Sequence, residues 1–247
     1  MKTFIITLDV AGEMKTHHHI GHKKTNSSRK FMAMGIIALF VIVAIAAIAM
    51  LNNKNAIPGN KPSTESNPTI ATVNGVLITQ NQIDSLYIRL PTEYRIPTAK
   101  AILLNRTIDE LLLLEEAKKQ GVSVSDSAVD EQFQVALAAQ GLTEAQVAQS
   151  LAQFNMTIPA MKAELKKQLT IFNLINKTII SQTTVSDDEI QNYYLAVTGS
   201  NDSNLTLTNA TREQIKSAVL EEKIGQAALT LIGNLRSRAV IERIREP

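Results

Sequence analysis

The sequence contains no cysteine, and its four histidines are confined to positions 17–22. Without cysteine the chain can form no disulfide, no thiolate-ligated zinc site and no thiol nucleophile. This absence does not identify the compartment, because oxidising compartments permit disulfides without requiring them. Since no histidine follows His22, the rest of the chain also lacks the commonest general base of enzymes.

The charged residues are mixed in sign and unevenly distributed. The net charge is +2 over 247 residues. Residues 1–30 hold six basic and two acidic residues, a net charge of +4, whereas residues 52–247 hold 19 basic and 21 acidic residues, a net charge of −2. A near-neutral body of mixed sign lacks the basic footprint that nucleic acid requires, so we expect no nucleic-acid partner.

No pattern typical of a catalytic, cofactor or metal site occurs in the sequence. Adjacent carboxylates on a helix do not face each other, and a catalytic pair needs burial and a perturbed pKa. We therefore interpret four such pairs as solvated helix faces: Asp109-Glu110, Glu115-Glu116, Asp187-Asp188 and Glu221-Glu222. The clustered histidines of the tail could bind a divalent metal, but nothing near them completes a site. We expect no catalytic residue, no cofactor and no metal.

A run of 21 residues from Phe31 to Leu51 carries no charge. At a rise of 1.5 Å per residue, a helix of this length spans the roughly 30 Å hydrocarbon layer of a membrane. The basic flank predicts that residues 1–30 form a cytoplasmic tail and that the chain after residue 51 is extracytoplasmic. The alternative is a cleaved signal peptide, since Ala47-Ile48-Ala49 is a small-x-small site. Signal peptides have apolar regions of about 7–15 residues, so the length of this run favours an uncleaved anchor.

Beyond the apolar run, residues 52–70 are rich in Asn, Pro, Ser and Gly, a composition typical of a disordered linker. The stretch "ATVNGVLITQNQID", residues 71–84, follows. Its Asn74-Gly75 pair is a strong hairpin signal, because a type I′ turn needs positive φ at both central residues. Thr79 with Gln82 is a capping box, which predicts a helix launched directly from the second strand.

The remaining chain is predicted to be mostly helical. Capping residues and the glycines at 121 and 141 predict six further helices: Ala99–Gln120, Asp126–Gln140, Glu144–Asn155, Thr157 to about Ile180, Ser186 to about Ala196, and Arg212–Arg236, the last opened by Thr211 and Gln214. Residues 197–210 are predicted to be a loop. The stretch "AVIERI", residues 239–244, alternates apolar and charged residues and suits a strand. Because a two-stranded hairpin is marginal in water, we expect this strand to pair with it and close one domain over residues 71–247.

The layout of "TVNGVLITQNQID" followed by "LLNRTIDELLLLEEAKKQGVSVSDSAVDEQF" resembles the N-terminal chaperone domain of SurA-type periplasmic foldases, which PrsA and PpiD also contain. The resemblance implies a multi-helix domain whose returning C-terminal helix and strand join the N-terminal hairpin. In these foldases a parvulin-type prolyl isomerase domain lies between the central and returning helices. Here residues 195–210 are too few to hold it, and the histidines of a parvulin site are missing, so we expect no isomerase activity.

The resemblance further implies a groove between helices that binds unfolded, apolar-rich polypeptides. Methionine and aromatic side chains suit adaptable contacts of this kind. The candidates for client contact are Tyr87, Tyr94, Phe133, Phe154, Met156, Met161 and Phe172. The alternative for each phenylalanine is an ordinary core position, because apolar helix faces usually pack. Tyr87 and Tyr94 are expected to be exposed, because Pro91 and Pro97 interrupt helical structure near them.

Six N-x-S/T sequons follow the apolar run and are candidates for N-glycosylation if the host glycosylates. Those that fall in or beside predicted loops are Asn155, Asn201, Asn204 and Asn209, whereas Asn105 and Asn176 fall in predicted helices. Together these features predict a membrane-anchored, extracytoplasmic, ATP-independent chaperone for unfolded or newly exported polypeptides. The alternatives are a prolyl isomerase foldase and an assembly factor with one dedicated partner.

Overall fold

The computed structural model describes residues 67–154, 156–199 and 207–247. These residues form seven α-helices and one three-stranded antiparallel sheet. Within these ranges no helix combines the length and apolar character that a membrane span needs. The predicted cytoplasmic tail, the apolar run 31–51, nearly all of the linker and the sequons at Asn155, Asn201 and Asn204 lie outside the described residues.

The sheet forms from the two ends of the described chain. Strands β1 (Thr69–Val73) and β2 (Val76–Thr79) make the predicted hairpin, and β3 (Ile241–Arg243) pairs antiparallel with β1. The strand order is therefore β2-β1-β3. Both central residues of the turn have positive φ, +48° at Asn74 and +83° at Gly75, as a type I′ turn requires. The predicted hairpin and the predicted C-terminal strand are both confirmed.

Seven helices lie between β2 and β3. They are α1 (Gln80–Tyr87), α2 (Ala99–Lys119), α3 (Asp126–Gln140), α4 (Glu144–Ala152), α5 (Ile158–Ile175), α6 (Asp187–Thr198) and α7 (Asn209–Arg238). A 3₁₀ turn, Thr92–Tyr94, follows α1, and a π turn, Asn176–Ile180, continues α5. The capping box of α1 is present, since the Thr79 N–H donates to Gln82 Oε1 at 2.7 Å. Gly121 and Gly141 end their helices at φ of +66° and +63°.

Several helix boundaries differ from the sequence prediction. Helix α4 ends at Ala152, three residues early, and α6 continues to Thr198, where Gly199 ends it in the left-handed conformation. Helix α7 begins at Asn209 instead of Arg212, because Thr208 is its N-cap and accepts a hydrogen bond from the Thr211 N–H at 3.2 Å. The choice of Thr211 as the cap was wrong, because two threonines three positions apart both carry the capping side chain.

The apolar side chains form three clusters. Core 1 lies between the sheet, α1 and α2 and also receives Leu174 from α5 and Leu235 from α7. Core 2 joins α3, α4 and α5 around the buried Phe133. Core 3 is smaller and joins α6 to the first half of α7 through Ile190, Ile215 and Val219. Helix α5 contributes to both of the larger cores, and α7 contributes to cores 1 and 3.

Candidate functional site

The described residues contain no cluster of three or more His, Cys, Asp or Glu side chains that could hold a metal ion. Two shallow hollows occur on the surface. One of about 520 Å³ lies between α6 and α7 beside Tyr193 and Lys223, and one of about 300 Å³ lies beside Gly121 and Lys166. Neither hollow encloses a group of side chains with the geometry of a catalytic site.

Exposed apolar side chains concentrate from the end of α1 to the first turn of α2. Of the eleven large hydrophobic residues that are exposed in the part of the chain that the structure describes, four lie between positions 88 and 102. Their exposed fractions are 44% at Ile88, 62% at Tyr94, 49% at Ile96 and 58% at Ile102. We call residues 88–102 the apolar segment. Exposed apolar patches often mark surfaces that contact another chain.

The backbone of the apolar segment is held by polar contacts. Arg95 donates from Nη2 to the Ile88 carbonyl at 2.6 Å and from Nε to the Leu90 carbonyl at 2.9 Å. The Tyr87 hydroxyl donates in return to the Arg95 carbonyl at 3.2 Å. The N–H groups of Tyr94 and Arg95 donate to the carbonyls of Pro91 and Thr92 at 2.9 and 3.1 Å. These hydrogen bonds therefore hold the segment folded back on the end of α1.

Lysine 100 ties the start of α2 to α1 beside this segment. Its Nζ lies 2.7 Å from Asp84 Oδ1 and 5.5 Å from the centroid of the Tyr87 ring. The second contact is within the range of a cation–π interaction. Tyr87 is consequently half-buried, packed against core 1, with its hydroxyl and its ring both in contact with partners.

The predicted client-contact residues fall in different places. Tyr94 is exposed in the apolar segment, as expected, whereas Tyr87 is half-buried. Phe133 is 1% exposed at the centre of core 2, and Met156 and Met161 pack against the same core. Phe154 and Phe172 are half-buried on α4's C-terminal side and on α5. The structure does not gather these side chains on one surface, and whether any of them contacts a client stays a prediction.

Sequence reasoning missed three residues of the apolar segment: Ile88, Ile96 and Ile102. The available signal for Ile88 and Ile96 was composition, since they flank Pro91, and Ile96 adjoins Pro97, in an irregular stretch that cannot bury them on a helix face, whereas Ile102 lies in α2. The exposed residues of the segment are thus three isoleucines and Tyr94, whereas the sequence analysis expected methionine and aromatic side chains and included Tyr94 among them.

A charged cluster lies where α2 and α5 meet. Lys167 Nζ lies 3.3 Å from Glu110 Oε1 and 3.1 Å from Glu164 Oε2. Burial raises the pKa of Glu110, and the charge of Glu164 raises it further, whereas Lys167 and Arg106 act in the opposite direction. Burial also lowers the pKa of Arg89, whose Nε is buried without a hydrogen-bond partner among the described residues. This cluster lies between cores 1 and 2.

A second set of charges joins α6 to α7. Glu189 accepts from the Ser186 N–H at 2.8 Å, which completes the capping box of α6, and from Lys223 Nζ at 2.5 Å. Lys223 also donates to the Thr184 carbonyl at 2.7 Å, and Arg212 pairs with Asp187. The donated hydrogen bonds of Lys223 and Ser186 lower the pKa of Glu189 to about 2.

The described sequons differ in their surroundings. Asn105 accepts a hydrogen bond from Arg243 Nη2 at 2.5 Å through its side-chain oxygen, and Asn176 lies in the π turn. Asn209 is exposed in the first turn of α7. Modification of the sequons stays a prediction.

Comparison with known proteins gives a consistent family. Residues 23–175 match the sequence profile of the SurA-like N-terminal domain, and no parvulin domain is found. The chain is 26% identical over 165 residues to Chaperone SurA of Saccharophagus degradans, covering 64% of this chain and 37% of that protein. It is also 26% identical over 157 residues to Chaperone SurA of Chromobacterium violaceum, covering 60% and 36% respectively. The matched regions span about a third of these curated relatives.

A solved structure supports the fold assignment. A SurA-like chaperone from Campylobacter jejuni superposes with a TM-score of 0.53 at 16% identity, covering 72% of this chain and all of that one. At this identity the likeness concerns the fold alone. The profile match ends at the end of α5, whereas the structure adds α6, α7 and β3, which return to the hairpin.

Proposed function

Because the chain belongs to the family of SurA-like N-terminal domains, we propose that it is a membrane-anchored, extracytoplasmic, ATP-independent chaperone that binds unfolded or newly exported polypeptides. The observation that carries this proposal is the apolar segment, where Ile88, Tyr94, Ile96 and Ile102 are exposed on a fixed backbone. Burial of apolar surface is the main favourable term when an unfolded chain is held. No nucleotide site is needed for such passive binding.

The charge pattern and the apolar run support the location that we propose. The apolar run 31–51 is the anchor, residues 1–30 lie in the cytoplasm, and the folded domain lies outside. The described chain begins with Asn67, whose Oδ1 accepts from the Asn81 N–H at 3.1 Å and so holds the end of the linker against α1. An anchor concentrates the chaperone where exported chains emerge from the membrane.

The proposal is tested with the full 247-residue chain in lipid nanodiscs. Aggregation of a thermally unfolding substrate protein is followed by light scattering, with empty nanodiscs as the control. The double variant Ile96→Ser/Ile102→Ser removes apolar area from the segment. The matched control is Val135→Ser/Leu229→Ser, which changes two side chains with 51% and 66% exposure on α3 and α7. Circular dichroism verifies that both variants are folded.

We expect the wild type and the control variant to suppress aggregation at near-stoichiometric ratios and the segment variant to lose most of that effect. Equal suppression by all three proteins would show that the apolar segment is not the client surface. No suppression by folded wild-type protein would overturn the general chaperone function and leave an assembly factor with one dedicated partner as the better account. Such a factor would co-purify with one stoichiometric protein instead of many sub-stoichiometric clients.

The anchor has its own test. Membranes from cells that express the full chain are extracted at alkaline pH, and intact cells or spheroplasts are treated with protease. We expect the chain to stay in the membrane pellet and the folded domain to be cleaved only when the outer side is accessible. Recovery of a shortened chain in the soluble fraction would instead show that the apolar run is a cleaved signal peptide.

A further inference from the structure

The shape of the apolar segment depends on one side chain. Arg95 spans the turn of chain that follows α1 and donates to two carbonyls, those of Ile88 and Leu90. The Ile88 carbonyl belongs to the C-cap of α1, where helical hydrogen bonding stops and carbonyl groups need other donors, and the Leu90 carbonyl lies in the turn that follows. A cation is also favoured at a helix C-terminus by the helix dipole. Arg95 therefore satisfies the end of α1 and fixes the direction of the chain after it.

The contact is reciprocal. The Arg95 carbonyl accepts from the Tyr87 hydroxyl at 3.2 Å, so the main chain and the side chain of Arg95 are both tied to α1. Tyr87 is in turn held beneath Lys100. These bonds close the stretch from Tyr87 to Arg95 into a loop that carries Ile88 and Tyr94 and is followed directly by Ile96.

Apolar packing holds the start of this loop, where Tyr87 and Leu90 are partly buried against core 1, but it contributes little after Leu90. Residues 91–94 and 96–98 are all exposed, and Ala99 is the first buried residue after Ile83. The rest of the loop is therefore ordered mainly by hydrogen bonds, of which the Arg95 side chain donates two and the Tyr87 hydroxyl one. Segments with few buried apolar contacts open locally at low free-energy cost, so loss of these bonds would release the loop without unfolding the domain.

We infer that Arg95 is the positioning residue of the client surface, which holds Ile88, Tyr94 and Ile96 in a preorganised arrangement. This inference rests on the proposed function. Ordering a loop at the moment of binding lowers affinity, and a loop that is already ordered avoids that cost. Arg95 thus acts through the three apolar residues and makes no client contact itself.

The variants follow from the guanidinium geometry. Arg95→Met keeps an unbranched apolar stem and removes all donors. Arg95→Lys keeps the charge, but one ammonium replaces a planar group whose Nε and Nη2 reach two carbonyls in fixed directions, so it restores part of the effect. Arg212→Met is the matched control, because it makes the same substitution at a partly exposed arginine whose partner, Asp187, lies on α6 and outside the loop.

The experiment uses the full chain in nanodiscs and three readouts. Affinity for a fluorescently labelled, permanently unfolded polypeptide is measured by anisotropy. Hydrogen–deuterium exchange reports on the peptide that covers residues 88–98, and a thermal melt reports on the whole domain. For Arg95→Met we expect roughly tenfold weaker client binding, faster exchange confined to residues 88–98 and a melting temperature close to the wild type. Arg95→Lys should be intermediate in affinity and exchange, and Arg212→Met should stay near the wild type in both.

Two results would overturn the inference. One is wild-type affinity in Arg95→Met despite faster exchange in the loop, since order would then be irrelevant to binding. The other is weaker binding with unchanged exchange, which would make Arg95 a direct client contact. If Arg95→Met fails to fold, Arg95→Lys carries the same comparison. The variant Ile96→Ser/Ile102→Ser tests the proposed function separately. If it binds the unfolded polypeptide as tightly as the wild type does, the apolar segment is not the client surface, whatever the role of Arg95.

Discussion

Asn74 and Val240, 166 residues apart, exchange two hydrogen bonds. The Asn74 N–H donates to the Val240 carbonyl at 2.9 Å, and the Val240 N–H donates to Asn74 Oδ1 at 2.9 Å. Asn74 Nδ2 also donates to Glu115 Oε2 at 2.5 Å. One turn residue therefore joins the hairpin to the chain that enters β3 and to α2. The asparagine of the Asn-Gly turn has a tertiary role besides its conformational one.

Replacement of Asn74 separates these two roles. Asn74→Ala removes the side-chain hydrogen bonds. It also places at φ +48° a residue that, unlike asparagine, has no polar side chain to favour the left-handed conformation. We therefore expect the free energy of unfolding to fall by about 2–4 kcal/mol. Asn74→Gly removes the same bonds but tolerates positive φ, so its loss should be about 1–2 kcal/mol. Urea unfolding of the full chain, followed by far-ultraviolet circular dichroism, measures both. Equal losses would mean that the backbone conformation carries no cost here.

Local signals in the sequence were sufficient to predict the helices and strands and their order along the chain. Asn74-Gly75, the Thr79 and Ser186 caps, and the glycines at 121 and 141 act within a few residues, and each stands where it was expected. The pairing of β3 with the hairpin followed from the instability of two strands alone. The cap of α7 was misplaced because Thr208 and Thr211 are locally equivalent, and their surroundings decide between them.

The client surface could not be predicted in the same way, because exposure is a property of packing between distant elements. Phe133 and Met161 are residue types that also occur at contact sites. In the structure, however, Phe133 is buried in core 2 and Met161 is half-buried against it. Ile96 lies between Arg95 and Pro97 in a stretch without periodicity, so no helix face or strand face identifies its environment. Only the fold of the loop on α1 shows that it is exposed.

The pair Arg236–Asp109 should contribute measurably to closing the C-terminal helix on the core. Arg236 Nε lies 2.5 Å from Asp109 Oδ1, and Nη2 donates to the Asn105 carbonyl at 3.2 Å. Both side chains are about two-thirds buried, so a double-mutant cycle with Arg236→Met and Asp109→Asn should give a coupling of about 1 kcal/mol. The exposed pair Lys119–Glu115 on α2 is the control and should give below about 0.5 kcal/mol. Similar couplings would indicate that burial does not strengthen the first pair.

Glu110 should destabilise the domain when it is ionised. Burial and the charge of Glu164 raise its pKa in the folded state, so the carboxylate costs folding free energy above that pKa and the cost disappears as pH falls towards the unfolded value of about 4.3. Glu110→Gln should therefore be at least as stable as the wild type at about pH 7, and this advantage should shrink as pH falls to about 4. Urea midpoints across this range measure it. The control is Glu131→Gln, at an exposed position on α3. If Glu110→Gln is less stable than the wild type at neutral pH, the attraction between Glu110 and Lys167 exceeds the cost of burying the carboxylate.

Glu189 has the opposite pH dependence. Its pKa is lowered to about 2 by the hydrogen bonds from Lys223 and Ser186, so its contribution is present above the unfolded pKa of about 4.3 and is lost as pH falls towards 2. Glu189→Gln keeps an oxygen for the Ser186 N–H but loses the charge that pairs with Lys223. We expect the variant to be less stable than the wild type at about pH 7 and the difference to shrink by about pH 3. Asp188→Asn in the same helical turn is the control, and a pH-independent difference would exclude the Lys223 pair as the cause.

Prolyl isomerisation should proceed at its uncatalysed rate in the presence of this chain. The residues between the end of α6 and the start of α7 are 199–208, a stretch far shorter than a domain of on the order of a hundred residues. Every histidine lies at or before position 22, so the folded domain offers no imidazole to a substrate. A proline-containing peptide assay should show relaxation over tens to hundreds of seconds with or without the chain, and a cyclophilin in the same assay should accelerate it. Acceleration that scales with the concentration of this chain and disappears on heat denaturation would establish an isomerase site that does not use histidine.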